Sequence, residues 1–232
     1  APRAAAHSNR HLLGWSVAVV LALAAPWAIY PTFLMKVLCF ALFACAFNLL
    51  LGFAGLLSFG HAAFFGGAAY VCAWLSKAWG VTPELAILAG GGVAALLGLL
   101  FGALSIRRAG IYLTMITLAL AQLVFFFAVQ LPFTGGEDGL QGVPRGALLG
   151  FIPLADNQSM YYFVFAVFCA GFWLIHRTVH SPYGQVLKAI RENEPRAISL
   201  GYDVARYKLV AFVLSASMAG VAGALKALVF QL

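Results

Sequence analysis

Apolar runs of about twenty residues follow one another along almost the whole chain, and they decide the fold class before any motif is read. A run of that length crosses a hydrocarbon core of roughly 30 Å as a helix, which satisfies its own backbone N–H and C=O groups where there is no water. Of the 232 residues 63% are hydrophobic and only 9% charged, with a mean hydropathy of +0.96, well outside the range of soluble domains. The runs lack the strict apolar–polar alternation of an outer-membrane barrel. The chain reads as an all-α polytopic membrane protein with lipid as its first partner.

The spans fall at 12–30, 33–51, 59–79, 85–104, 111–131, 160–175 and 209–232, about seven in this chain. The first also has the basic start and small residues of a cleaved signal peptide, and both readings stay open. Between the second and third lies Gly52-Phe-Ala-Gly55-Leu-Leu-Ser58-Phe-Gly60-His61, with three glycines and no charge. A glycine-broken segment near 52–61 sits at membrane depth, where irregular backbone survives only against protein or a wet cavity. Such segments point to transport sites.

The formal charge of +7 invites a nucleic-acid reading, but the basic residues bracket the spans instead of gathering on a soluble domain. With the N-terminus in the cytoplasm, Arg3, Arg10, Arg107, Arg108, Arg177, Lys188, Arg191, Arg196, Arg206 and Lys208 fall inside. Lys77 and Arg145 fall in outer loops, together with Glu84, Glu137, Asp138 and Asp156. Lys36 and Lys226 lie within spans near their outer ends, where a lysine can snorkel to headgroups. The loop 132–159 is then periplasmic, and the polar stretch 177–208 cytoplasmic.

Within the spans, Asn48, Ser58, His61, Thr114 and Thr117 are candidates for a translocation path, since unpaired polar groups in hydrocarbon are costly. His61 is expected to hydrogen-bond across the broken segment. Gln122 lies round the helix from the two threonines. No Asp or Glu lies inside any span, which weighs against proton-driven transport. Cys39, Cys45, Cys72 and Cys169 sit in apolar runs without paired spacing and read as packing residues. Small residues recur at spacings of four, as in Gly98-x-x-x-Gly102 and Ala216-x-x-x-Gly220-x-x-x-Ala224, which allows close helix packing. There is no nucleophile–base arrangement, metal-ligand cluster or phosphate loop. The chain reads as no enzyme, and any nucleotide that powers it is bound elsewhere.

The stretch 181–208 opens with Ser181-Pro182, a helix-start signal, and Gln185 to Glu192 suit a short helix. Pro195 breaks it or begins a second helix at Arg196, which Gly201 stops. Two short amphipathic helices at a membrane surface favour docking against a soluble partner.

Asn48-Leu-Leu-Leu-Gly-Phe-Ala-Gly-Leu-Leu-Ser-Phe-Gly-His-Ala-Ala-Phe-Phe-Gly66, Gly110-Ile-Tyr-Leu-Thr-Met-Ile-Thr-Leu-Ala119 and Thr134-Gly-Gly-Glu-Asp-Gly-Leu-Gln-Gly142 occur in order, followed by Ser181-Pro-Tyr-Gly-Gln and Ala189-Ile-Arg-Glu-Asn193. In these motifs the chain resembles the permease subunits of branched-chain amino acid ABC importers (LivM/LivH type). The resemblance covers nearly all of it. It implies a single transmembrane permease domain over 1–232 in a bacterial inner membrane. It also implies a second homologous permease, two cytoplasmic ABC ATPases that bind ATP and Mg, and a periplasmic substrate-binding protein, with no cofactor in this chain. Ala189, Ile190, Arg191, Glu192, Asn193, Glu194, Pro195, Arg196 and Gly201 would form the ATPase-coupling contact. Family members run on past the position of Leu232, so the resemblance implies a C-terminally truncated chain. Relatives that carry urea, short amides or other amino acids look similar, and a channel or scaffold without energy coupling remains the reading from another class.

Overall fold

The computed structural model describes residues 19–107, 110–131, 134–136, 139–148 and 152–231. Arg3, Arg10, the start of the first expected span, Arg108, Glu137, Asp138 and Leu232 lie outside them. The helices are α1 (Val19–Ala28), α2 (Pro31–Asn48), α3 (His61–Ala78), α4 (Pro83–Ser105), α5 (Ile111–Gln130), α6 (Asn157–His180), α7 (Pro182–Glu192), α8 (Glu194–Ser199) and α9 (Val204–Phe230). A π-helical turn, Leu49–Ala54, prolongs α2. Two short strands, β1 (Ala147–Leu148) and β2 (Ile152–Pro153), pair antiparallel in the loop before α6. Prolines begin α2, α4 and α7, where their fixed φ suits the first turn and their missing N–H is no loss.

Five of these helices are long and apolar enough to cross a membrane: α2 with its π-helical turn, α4, α5, α6 and α9. The chain is an all-α polytopic membrane protein. Helix α3, shortened in apolar length by His61 and Lys77, and α1 lie where the sequence places two more spans, so about seven is an approximate count.

Helix α9 is the axis of the bundle. Ala216, Gly220 and Ala224 are buried along it and meet Gly98, Ala94 and Gly90 of α4 in reverse order, a ladder with the same four-residue step on both helices. A methyl group at Gly220 would strike the side chains of Ala94 and Ala68, and one at Gly223 would strike the carbonyl of Phe65. The backbones of α3, α4 and α9 therefore approach with no side chain between them. At its last turn α9 is capped by the loop before α6. The N–H of Gly142 donates to the Gln231 carbonyl at 3.0 Å, and Arg145 donates to that of Val229 at 3.1 Å. These bonds occupy carbonyls that the helix cannot satisfy itself.

Candidate functional site

The glycine-broken segment is narrower than the sequence expects. Helix continues through Ala54 in π form, and the irregular backbone runs from Gly55 to Gly60. Gly55 ends the π-helical turn with φ +70°, a left-handed conformation that suits glycine. The Leu50 carbonyl then accepts from the N–H groups of both Gly55 and Leu56.

Four of the five expected polar residues gather around this segment. The Thr117 hydroxyl accepts from the N–H of Phe59 at 3.2 Å and donates to the Thr114 carbonyl at 3.0 Å, so α5 holds the segment from one side. Thr114 returns its own hydroxyl to the Ile111 carbonyl at 2.6 Å. Ser58 accepts from the N–H of Gly60 at 3.2 Å, closing the turn into α3. His61 Nε2 lies 2.8 Å from Ser215 Oγ, and the Ser215 hydroxyl donates to the Ala46 carbonyl at 2.6 Å. Because the serine proton is spent on Ala46, Nε2 carries the hydrogen in the His61–Ser215 bond. The imidazole is packed among Phe43, Phe47, Phe64 and Phe212. The fifth residue, Asn48, is exposed on the outer face of the α2 end, its side chain against Gly52.

From the opposite end the polar stretch reaches the same place. Ser181 caps α7, accepting from the N–H of Gly184 at 3.4 Å. Asn193 breaks the chain and caps α8, accepting from the N–H of Arg196 at 3.1 Å. The second helix therefore begins at Glu194, two residues before the expected Arg196, with Pro195 inside its first turn. Gly201 follows it with φ +86°. Ile190, Ala197 and Val204 make a small core beneath these helices. Lys208 bonds Glu194 at 2.7 Å, and Tyr183 stacks on Tyr207 and donates to its carbonyl at 2.8 Å. Burial, with Tyr207 beside it, pushes the Tyr183 phenol above its usual pKa.

The contact between the two regions is specific. Arg191 donates through Nη1 to the carbonyl of Gly52, a last-turn group left without an intrahelical partner where the π-helical turn ends at Ala54. Lys188 lies 5.5 Å from the ring centroid of Phe53. The expected coupling residues thus divide into two sets. Ile190 is buried and Arg191 is turned onto the π-helical turn, while Ala189, Glu192, Asn193, Pro195, Arg196 and Gly201 face outward, with Glu194 half-buried in its ion pair. Ile198, Leu200 and Tyr202 join the outward face with 58%, 68% and 41% exposure, an apolar patch amid charge. Their burial could not be judged from so short a helix.

The family model for the permease component of branched-chain amino acid transport systems matches residues 29–232. The high-affinity branched-chain amino acid transport system permease protein LivM of Escherichia coli strain K12 is 29% identical over 201 residues, covering 77% of this chain and 47% of the relative. LivM of Salmonella typhimurium matches to the same extent. The autoinducer 2 import system permease protein LsrC of Klebsiella pneumoniae is 31% identical over 120 residues, 49% of this chain and 32% of its own. The chain spans about half the length of the LivM relatives. No solved structure matches it. With helices, broken segment and the α7–α8 hairpin in place, and a family match over 29–232, the chain belongs to the branched-chain amino acid transport permease family.

Proposed function

We propose that this chain is the transmembrane permease subunit of an ATP-binding-cassette importer for branched-chain or related amino acids, in a bacterial inner membrane with its N-terminus cytoplasmic. Residues 1–232 act as one permease domain. The loop 177–208 receives ATPase motion, and the loop 132–159 faces the periplasmic substrate-binding protein. A second homologous permease completes the path, and two cytoplasmic ATPases bind ATP and Mg.

The observation that carries the reading is the bond from Arg191 to the Gly52 carbonyl. It joins a surface helix on the polar side to the broken segment inside the bundle. A push on the outward face of α7 and α8 reaches Gly52 through Arg191, then Phe59 and Thr117 on α5, and His61 and Ser215 on α9. Ser58, His61, Thr114 and Thr117 position the moving segment, and Asn48 lies on the face left open to the path.

Co-purification followed by reconstitution tests this. The full-length chain, expressed with its genomic neighbours, should capture an ATPase, stimulate its turnover with loaded binding protein, and accumulate leucine in vesicles. Capture of no ATPase, or uptake that survives deletion of residues 191–200, would sink the coupling role.

A further inference from the structure

Lys226 lies on α9, the most buried helix, one turn before its end at Phe230, so a cation sits where apolar residues surround it. Its Nζ stands over the rings of Phe40 and Phe65, at 5.9 and 5.6 Å from their centroids. Those rings are stacked on each other, 5.9 Å apart at 20°. Among the described residues no carboxylate or carbonyl bonds this amine. The aromatic faces hold the charge in place, and its three N–H donors have no hydrogen-bond partner among the described residues. An ionisable side chain within an apolar helix of this kind is costly and is often found on a pathway.

The amine opens into a cleft of about 350 Å³. Phe65, Ala69, Ala73 and Leu140 give it apolar walls, Tyr70 and Gln141 add polar groups, and the small residues Gly66 and Ala69 leave the room. Lys77 donates to the Gln141 carbonyl at 2.9 Å and so pins the loop over the cleft. One fixed cation beside an apolar wall is the complement of a small molecule with a carboxylate at one end and a hydrocarbon group at the other.

We propose that Lys226 receives the carboxylate of the transported amino acid in this cleft, with the cargo's aliphatic side chain against Phe65, Ala69 and Leu140. The site is the outer-side station of the path, and it rests on the importer reading above. It also favours amino acids over urea or short amides, which bring no negative charge to a lysine.

The test uses the complete transporter with its binding protein in phosphatidylcholine vesicles, reading labelled leucine uptake for Lys226→Met and Lys226→Arg. Loss of the charge-assisted bond should slow Lys226→Met uptake about tenfold or more, with ATPase association and melting temperature unchanged, while Lys226→Arg stays close to wild type. Equal uptake by Lys226→Met and wild type overturns the assignment. So does a defect seen only when phosphatidylglycerol is present, which would make the lysine a headgroup ligand. Recovery of Lys226→Met uptake by adding Glu137→Gln and Asp138→Asn also overturns it, since the lysine would then serve a loop carboxylate. If the wild type accumulates no amino acid, the importer reading fails and this site falls with it. If only the variants behave unexpectedly, this site alone fails.

Discussion

The His61 ring and the Ser215 hydroxyl, 154 positions apart in the chain, lie 2.8 Å from each other, and the serine hydroxyl donates in turn to the Ala46 carbonyl. Three helices thus meet in one buried chain of hydrogen bonds. Replacing Ser215 with alanine strands the Nε2–H of His61 inside a ring of phenylalanines. A buried donor left without a partner costs about 1–3 kcal/mol. Thermal unfolding of the purified Ser215→Ala protein should show a lowered Tm, and Ser215→Thr should recover part of it. An unchanged Tm for the alanine variant would mean that the bond is not holding the helices.

The ladder between α4 and α9 predicts opposite outcomes for two glycines. Gly220→Val introduces side-chain atoms where Ala94 and Ala68 already stand, and overpacking of this kind costs roughly 1–3 kcal/mol or more. At Gly92 a methyl group would meet no atom within 4 Å, so Gly92→Ala should be neutral or stabilise by about 0.5–1 kcal/mol through helix propensity. Melting curves in one detergent decide it, and a Gly220→Val protein as stable as wild type would refute the close approach.

Arg191→Ala removes the donor to Gly52 without touching the outward face. Captured ATPase should stay constant while leucine uptake falls, about tenfold for a lost charge-assisted bond. A parallel loss of ATPase capture would show that Arg191 belongs to the docking surface instead.

Ile198 and Leu200 predict the reverse. Both are exposed, so Ile198→Glu and Leu200→Glu leave the fold intact while placing charge in an apolar contact. ATPase capture should fall with an unchanged Tm. Capture at wild-type level by the double variant would move the docking surface elsewhere.

Alkaline pH probes the same layer of short helices. The Tyr183 phenol has a folded pKa above its unfolded value, so the neutral form is favoured in the native protein. Its contribution is complete below the unfolded pKa of about 10 and is lost as pH rises through the folded value. Tyr183→Phe should flatten the fall in stability above that pH, measured by Tm against pH; a slope equal to wild type would acquit the residue.

The spans were legible because lipid imposes a one-dimensional rule, and every long helix described lies on an expected run. Ser181-Pro182 and Gly201 were legible for a similar reason, since a cap and a left-handed glycine act locally. The π-helical turn was not, because Leu49-Leu-Leu-Gly-Phe-Ala has the composition of ordinary helix and a shift in bonding leaves no periodic trace. His61 was expected to bond across the break, yet nothing in the sequence singles out Ser215 among the hydroxyls. Asn48 shows the complementary limit. Inside a continuous apolar run, the face a residue occupies depends on which neighbours arrive, and those are far away in sequence. By sequence alone Lys226 is a lysine near a span end, able to snorkel; its two aromatic supports come from α2 and α3, which only the fold brings together.

The paired small residues of α4 and α9 fix more than a distance. Each rung seats a methyl of one helix against the bare backbone or a small side chain of the other, and the next equivalent seat along a helix is four residues away, about 6 Å. A slide shorter than that jams methyl against backbone. The two helices therefore behave as one lever, and force arriving at the Val204 end of α9 is delivered at its far end, beside Lys226, without slack.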